Sequence, residues 1–223
     1  MTFDCTTERY DDLYAPWLEN PGRLLDLAGW KPPDSLLDLA GGTGIVAREA
    51  VRRCQEWGGI SNVALLDLNP RVPPAPAGST LHKWISVQKG RAEAVEEHYA
   101  ELMFDVVVCR QAIGYLNPVH VIPGVHKVLK VGGKFAFNSF VEPPAVGMRL
   151  RKADGAHFVE AHVAAFGHVA HVQARIGSKP GVDFSVFAYH DAATLYKLLK
   201  PWFAIQIHAA GPSLRWVCVK EAP

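Results

Sequence analysis

Short apolar runs and amphipathic stretches of helical length alternate along most of this chain. "SLLDLA" (35–40) reads as a short buried strand, and "TGIVAREAVRRCQEW" (43–57) has the length and spacing of a helix closed by Gly58-Gly59. "NVALLDLN" (62–69) is a second strand ending in an acid, and the prolines of the "PRVPPAPAGST" that follows exclude regular structure. "HKWISVQKG" predicts a third strand and "RAEAVEEHYAEL" a helix. "FDVVVCRQ" (104–111), β-branched and without breakers, predicts a fourth strand. "LNPVHVIPGVHKVLKVGG" opens with Asn117 as a cap and Pro118 at the first helical position, but Pro123-Gly124 inside it predicts two short pieces rather than one helix. "KFAFNSFVE" is a fifth strand. Strand and helix taking turns in this way is the pattern of a βαβ architecture.

From residue 143 the rhythm changes. "PPAVGMRLRKADGAHFVEAHVAAFGHVAHVQARIGSKPG" holds helical spacing, four histidines and two Gly/Pro boundaries, and predicts a helical insertion over the active site, residues 143–182. The tail reads as a helix, "DAATLYKLLKPW", then two strands, "FAIQIHAAG" and "LRWVCVKE", joined by a turn so tight that they must form an antiparallel hairpin. The whole predicts one α/β domain, 1–223. Its sheet is doubly wound and seven-stranded, mostly parallel with an antiparallel C-terminal hairpin strand, and residues 1–30 form an N-terminal helical cap. A chain of 223 residues suits one well-buried domain of this kind.

Lys plus Arg (23) and Asp plus Glu (22) nearly cancel, so no global field favours nucleic acid or an anionic membrane, and a small-molecule partner fits better. Cys5, Cys54, Cys109 and Cys218 lack C-x-x-C spacing and read as free thiols in a reducing compartment. The N-terminus has no basic-then-apolar leader, and no segment reaches the length of a membrane span, so the expectation is a soluble, cytoplasmic protein. Nothing in the sequence specifies an oligomeric state.

"GTGIVA" (42–47) satisfies G-x-G-x-x-G/A, and Asp67 follows at about the 20-residue interval of a dinucleotide fingerprint. Asp38 argues against that ligand, because a carboxylate at the end of the first strand would face a pyrophosphate. The closing hairpin is also foreign to an open dinucleotide fold. A nicotinamide oxidoreductase is therefore the weaker reading, and a cationic nucleoside turns Asp38 from an obstacle into a partner. At this point the residues resemble the class I S-adenosylmethionine-dependent methyltransferases, from about residue 35 to the C-terminus apart from the insertion. "LDLAGGTG" looks like that family's first motif, "ALLDLNP" its second, "KGRAEAV" its third, "FDVVVCRQAIGYL" its fourth and "VLKVGGKFAFNSF" its fifth.

The resemblance implies a Rossmann-like fold, S-adenosylmethionine as cofactor and S-adenosylhomocysteine as product. It places Tyr10, Asp38, Ala40, Gly42, Gly44, Asp67, Leu68, Ala92, Glu93 and Arg110 around the donor, with Asp67 on the ribose hydroxyls. Two positions depart from the motifs: Ala40 stands where a glycine is usual, which limits φ, and Arg91 where an Asp often meets the adenine. Gly41 reads as no more than part of the turn.

Tyr10, Tyr14 and Trp17 share a helical face, which by itself suggests core packing; the resemblance makes Tyr10 a donor-pocket residue and leaves Trp17 to packing. Tyr14, Gln111, Tyr115 and Phe158 are the acceptor residues expected, with Met148 and Phe166 adding apolar surface, and Arg149 and Arg151 leaving room for an acidic group. His162 or His190 is the expected general base. His157, His162, His168 and His171, even with Asp154 and Glu160, lack H-E-x-x-H spacing and a cysteine, so no metal is expected. The chemistry implied is methyl transfer to an oxygen, nitrogen or carbon of a small apolar or aromatic metabolite. The alternative within the same fold is an S-adenosylmethionine-binding scaffold or rearrangement catalyst that transfers no methyl group.

Overall fold

The computed structural model describes residues 20–72, 84–140, 147–153, 156–165, 168–176, 184–210 and 213–222. Its strands are β1 (Leu36–Leu39), β2 (Val63–Asp67), β3 (Ile85–Lys89), β4 (Phe104–Cys109), β5 (Leu129–Phe140), β6 (Gly147–Ala153), β7 (Ala156–Ala165), β8 (His168–Ile176), β9 (Phe184–Tyr189), β10 (Ala204–Ala210) and β11 (Ser213–Val219). The helices are α1 (Pro21–Ala28), α2 (Ile45–Trp57), α3 (Val95–His98), α4 (Pro118–Val128) and α5 (Ala192–Leu199), with 3-10 turns at Ala92–Ala94 and Ile113–Tyr115.

Seven strands form one sheet in the order β10-β11-β5-β4-β1-β2-β3. Pairing is parallel from β5 through β4, β1 and β2 to β3, and antiparallel on both sides of β11. The expected architecture is present, with a refinement in the hairpin: the reversed strand lies inside the sheet, between β5 and the edge strand β10.

The period of two along each strand sorts the core into two layers. Leu37, Leu39, Val107, Cys109, Phe135, Phe137 and Trp216 pack with α4 and α5 on one face, while Leu36, Leu65, Val106, Val108 and Ala136 pack with α1 and α2 on the other. Both faces being buried is why β1 reads as an unbroken apolar run around Asp38. Lys220, itself buried, donates to the carbonyls of His126 and Leu129 at 2.7 and 2.8 Å and so caps the carboxyl end of α4.

Three expectations need correction. Residues 143–182 are not helical where described: β6, β7, β8 and β9 form a second, four-stranded antiparallel sheet in sequence order. His168 and His171 are thus three residues apart on a strand, not one turn apart on a helix. Pro123 does not divide α4, which runs unbroken through it. Close packing holds the helix together there: Gly124 lies against Val95 and Glu96 of α3, where a Cβ would strike both. The helix expected over "RAEAVEEHYAEL" shrinks to the 3-10 turn and the single turn of α3. Of the N-terminal cap, α1 is described; Tyr10, Tyr14 and Trp17 lie outside the described residues, as do Phe166 and the proline-rich loop from residue 73.

Candidate active site

β1 leads into a turn in which the backbone is left-handed three times in five residues: Ala40 at φ 54°, Gly42 at φ 54° and Gly44 at φ 70°. The Ala40 N–H donates to the Leu66 carbonyl on β2 at 2.7 Å, and the Gly44 N–H closes back on Gly41 at 2.8 Å. The three glycines are bare for different reasons. A Cβ at Gly41 would lie 2.5 Å from the Asp38 carboxyl carbon, and one at Gly44 2.8 Å from a Leu65 methyl. At Gly42 a Cβ would meet nothing within 4 Å, so this Cα alone faces open space. Gly41, which the sequence made a plain turn residue, is thus required by the carboxylate beneath it.

Two acids frame the turn. Asp38 is 1% exposed and its Oδ2 accepts the Ala47 N–H in the first turn of α2 at 3.0 Å, a favourable place for negative charge. Asp67 ends β2, where its Oδ2 accepts the Gly42 N–H at 2.9 Å and its Oδ1 the Asn69 N–H at 2.7 Å. The Gly42 carbonyl in turn accepts the Arg71 N–H at 2.9 Å, so both backbone polar groups of this residue are tied to the end of β2 and the loop that follows. Each carboxylate oxygen of Asp67 still has a lone pair for a further donor. Burial raises the Cys109 thiol, and the negative charge of Asp38 and then Asp67 raises it further, a sign of how electronegative this edge of the sheet is.

The next two loops close on the same edge. After β3, Glu93 accepts the Asn117 N–H at 3.2 Å, with Arg91 3.8 Å away. Asn117 caps the start of α4, so Glu93 links the third and fourth loops. After β4 the chain turns at Gln111, another left-handed residue at φ 57°. Asn138 holds it there. This residue of β5 is 3% exposed, and its Oδ1 accepts the Gln111 N–H at 2.8 Å. The adjacent Ser139 accepts the indole N–H of Trp216 at 2.8 Å.

Residues 37–137 match the family model described as a methyltransferase domain. That match spans a little under half of the chain, and over it the chain is similar to a methyltransferase domain. An S-adenosylmethionine-dependent methyltransferase from Clostridium acetobutylicum aligns over 96% of each chain with a TM-score of 0.64 at 14% identity. The CcbJ methyltransferase from Streptomyces caelestis does so over 95% of this chain and 96% of its own, with TM-score 0.66 at 15% identity. The 1,6-didemethyltoxoflavin-N1-methyltransferase of Burkholderia thailandensis, solved with S-adenosylhomocysteine bound, covers 91% and 76% of the two chains with TM-score 0.54 at 15% identity. At these identities the likeness is one of fold. No curated protein matches the chain by sequence.

The expected site residues that the structure describes fall into two groups. Asp38, Ala40, Gly42, Gly44, Asp67, Leu68, Ala92, Glu93, Arg110, Gln111 and Tyr115 all lie at or just beyond the carboxyl ends of β1 to β4. Within that group Leu68 and Tyr115 are well exposed, while Ala92 is buried in the core. His190 joins them by topology, since α5 returns the chain from this edge to the start of β10, and β9 runs alongside the Ile113–Tyr115 turn. His162 and Phe158 belong to β7 of the second sheet, with His162 paired to His171 on β8. Asn69, Arg71 and Asn138 carry no local sequence signal, because their contacts depend on strand register and loop path. Among the described residues, no cluster of metal-ligating side chains occurs and no helix is long and apolar enough to cross a membrane.

Proposed function

We propose that this methyltransferase acts on a small apolar or aromatic metabolite, at an oxygen, nitrogen or carbon nucleophile. The observation that carries the reading is the contrast at the glycine turn. Gly41 and Gly44 are filled against by protein, whereas Gly42 presents a bare Cα to open space beside an acid already fixed by two backbone N–H groups. That arrangement fits S-adenosylmethionine, which has hydroxyls for Asp67, positive charge for an electronegative edge and no phosphate for Asp38 to repel.

When bound, the cofactor supplies a methyl group already activated by its cationic sulfur. The protein's remaining tasks are alignment and exclusion of water. Asp67 would orient the ribose, Ala92 and Glu93 would border the adenine, and the glycine turn would admit the amino-acid end close to its backbone. Gln111 and Tyr115, at the exit of β4, would border the acceptor together with Phe158 of the second sheet. His190, or His162, would take the proton that an oxygen or nitrogen nucleophile loses. The near-neutral charge of the chain supports a small acceptor over a nucleic acid.

Calorimetry with S-adenosylmethionine, S-adenosylhomocysteine and NAD is the first test. The two adenosyl ligands should bind and NAD should not; the reverse pattern would sink the reading. Product masses over a panel of phenols, amines and acids should then show a gain of one methylene. Donor binding with no such gain would favour a non-methylating role for the same site.

A further inference from the structure

The two edges of the seven-stranded sheet differ in how they would meet a second strand. β3 has five residues and ends in Lys89. β10 has seven, "AIQIHAA", and its ladder to β11 runs without a register shift from Ala204 opposite Val219 to Ala210 opposite Ser213. Among the described residues no strand pairs with its outer side. Folded chains protect such an edge with a lysine, a proline, a bulge, brevity, or a covering helix or loop. β10 has no formally charged residue, no proline and no bulge, and Gln206, Ile207, His208 and Ala209 are all exposed.

Ala210 and Ser213 flank two residues, so they form the hydrogen-bonded pair that closes the hairpin. Such pairs alternate along an antiparallel ladder, so Ala204, Gln206, His208 and Ala210 direct their N–H and C=O groups to β11. Ile205, Ile207 and Ala209 turn theirs outward. Ile205 packs against the α4–α5 layer of the core, and alternation carries Ile207 and Ala209 to the same face. Ile207 is 43% exposed there. Just before the strand, Trp202 is 40% exposed beside His126 of α4, with ring centroids 5.3 Å apart.

These positions are self-complementary. A two-fold axis through Ile207 would set the two copies of Ile207 against each other, Ile205 against Ala209 and Gln206 against His208. Apolar then meets apolar, polar meets polar and no charge meets a like charge, while the outward N–H and C=O groups of all three residues find partners. The same operation on β3, about Val87, would set Lys89 against Ile85, a charge against an apolar side chain. We propose that this chain forms an isologous dimer through β10, two copies pairing antiparallel about Ile207 into one continuous sheet. β10 runs parallel to β5, because β11 is antiparallel to both. The axis therefore points the glycine turns of the two copies to opposite edges of the joined sheet, each four strands in from the junction. Both outer edges of that sheet are then β3 with its lysine, so association closes at two copies.

Sedimentation equilibrium of the full chain across the micromolar range is the test. The wild type should show reversible exchange between monomer and dimer. Ile207→Lys, which brings two ammonium groups together on the axis, should raise the dimer Kd about a hundredfold. Val87→Lys, on the other edge, should leave it unchanged. Cross-linking reads the register: Gln206 and His208 would face each other as a non-hydrogen-bonded pair, with Cα atoms about 4.5 Å apart and within disulfide reach. Under mild oxidation Gln206→Cys/His208→Cys should give a covalent dimer, and neither single variant should do so beyond the wild-type level. A monomeric wild type, a larger assembly, a dimer that survives Ile207→Lys, equal loss in Val87→Lys, or equal cross-linking in a single variant would overturn the proposal. The first of these would leave the edge to a strand of another protein. Far-UV circular dichroism matching the wild type certifies that the variants fold; if Ile207→Lys does not, the paired cysteines decide.

Discussion

At the amino end of β1, Ser35 and Asp105 turn inward on each other. The Ser35 N–H and hydroxyl donate to Asp105 at 2.8 and 2.6 Å, the Asp105 N–H returns to the Ser35 oxygen at 3.0 Å, and Lys130 closes the group at 2.7 Å. At the carboxyl end, Asp38 and Asp67 hold backbone instead. Their bonds go to Ala47, Gly42 and Asn69, and the chain they restrain is left-handed at Ala40, Gly42 and Gly44. The first arrangement gathers its donors on one carboxylate oxygen and ties three strands together. The second fixes a strained loop while leaving acceptor capacity and a bare Cα at the surface. Strain that is held in place by surrounding bonds, next to unsaturated polar groups, is what a binding site requires and what a purely structural end does not.

Substitutions at neighbouring glycines should separate packing from binding most sharply. Gly41→Ala drives a methyl into the buried Asp38 carboxylate and should cost about 3 kcal/mol in urea unfolding. Gly42→Ala meets no atom and carries only the left-handed penalty, about 1 kcal/mol. Its larger effect should be on S-adenosylmethionine affinity. A Gly42→Ala variant that loses as much stability as Gly41→Ala, with donor binding intact, would show that the open face at Gly42 does not serve a ligand.

Asp67→Ala comes next. Loss of the hydrogen bonds that the ribose hydroxyls donate to this charged acceptor should weaken donor binding by about 2–3 kcal/mol, roughly thirty- to a hundred-and-fiftyfold in Kd. The two backbone N–H groups it leaves behind can turn to water, so unfolding stability should drop by only about 1 kcal/mol. Unchanged affinity by calorimetry would refute the ribose assignment.

The amino end should answer to pH rather than to ligand. Burial alone would raise the Asp105 carboxyl, but the hydrogen bonds from Lys130 and Ser35 outweigh it and hold it below the ordinary carboxylate range. A folded value below the unfolded one contributes stability that is present above about pH 4 and is lost as the pH falls through the folded value. Asp105→Asn should therefore cost about 1–2 kcal/mol at neutral pH and flatten the acid limb of the stability curve. An acid limb as steep in the variant as in the wild type would assign it to other carboxylates.

How much of this was legible in the residues depends on the range of the interaction. The glycine turn, the strand that ends at Asp67, the apolar β4 and the hairpin are local signals, and the structure forms each of them. The second sheet was missed because "EAHVAAFGHVAHVQARI" is rich in Ala, a good helix former, and places Val and His at intervals that satisfy period 3.6 as well as period 2. Strand pairing decided it. Pro123 misled for the converse reason, since a packed interface at Gly124 preserves a helix that local propensity would break. Asn138 could not be found at all, because its value lies in a register between β4 and β5 that includes a shift between Phe104 and Val106.

The smallest predicted effect concerns Ala40, where the sequence departs from the glycine usual in the motif. The residue does adopt the left-handed conformation, at φ 54°, so its Cβ bears a strain that glycine would not. The Leu66 carbonyl and the Gly41–Asp38 contact on either side leave the backbone no alternative path. Ala40→Gly should relieve that strain and give back part of the gain through the greater freedom of the unfolded chain, for a net stabilisation of about 0.5 kcal/mol. Thermal unfolding with and without S-adenosylhomocysteine distinguishes two outcomes. An equal shift in both states means that Ala40 is merely a strained turn residue. A gain in the free protein that vanishes with ligand bound would mean that the stiffness of alanine pre-forms the turn for its cofactor, and the carboxyl end would then differ from the amino end even in its smallest side chain.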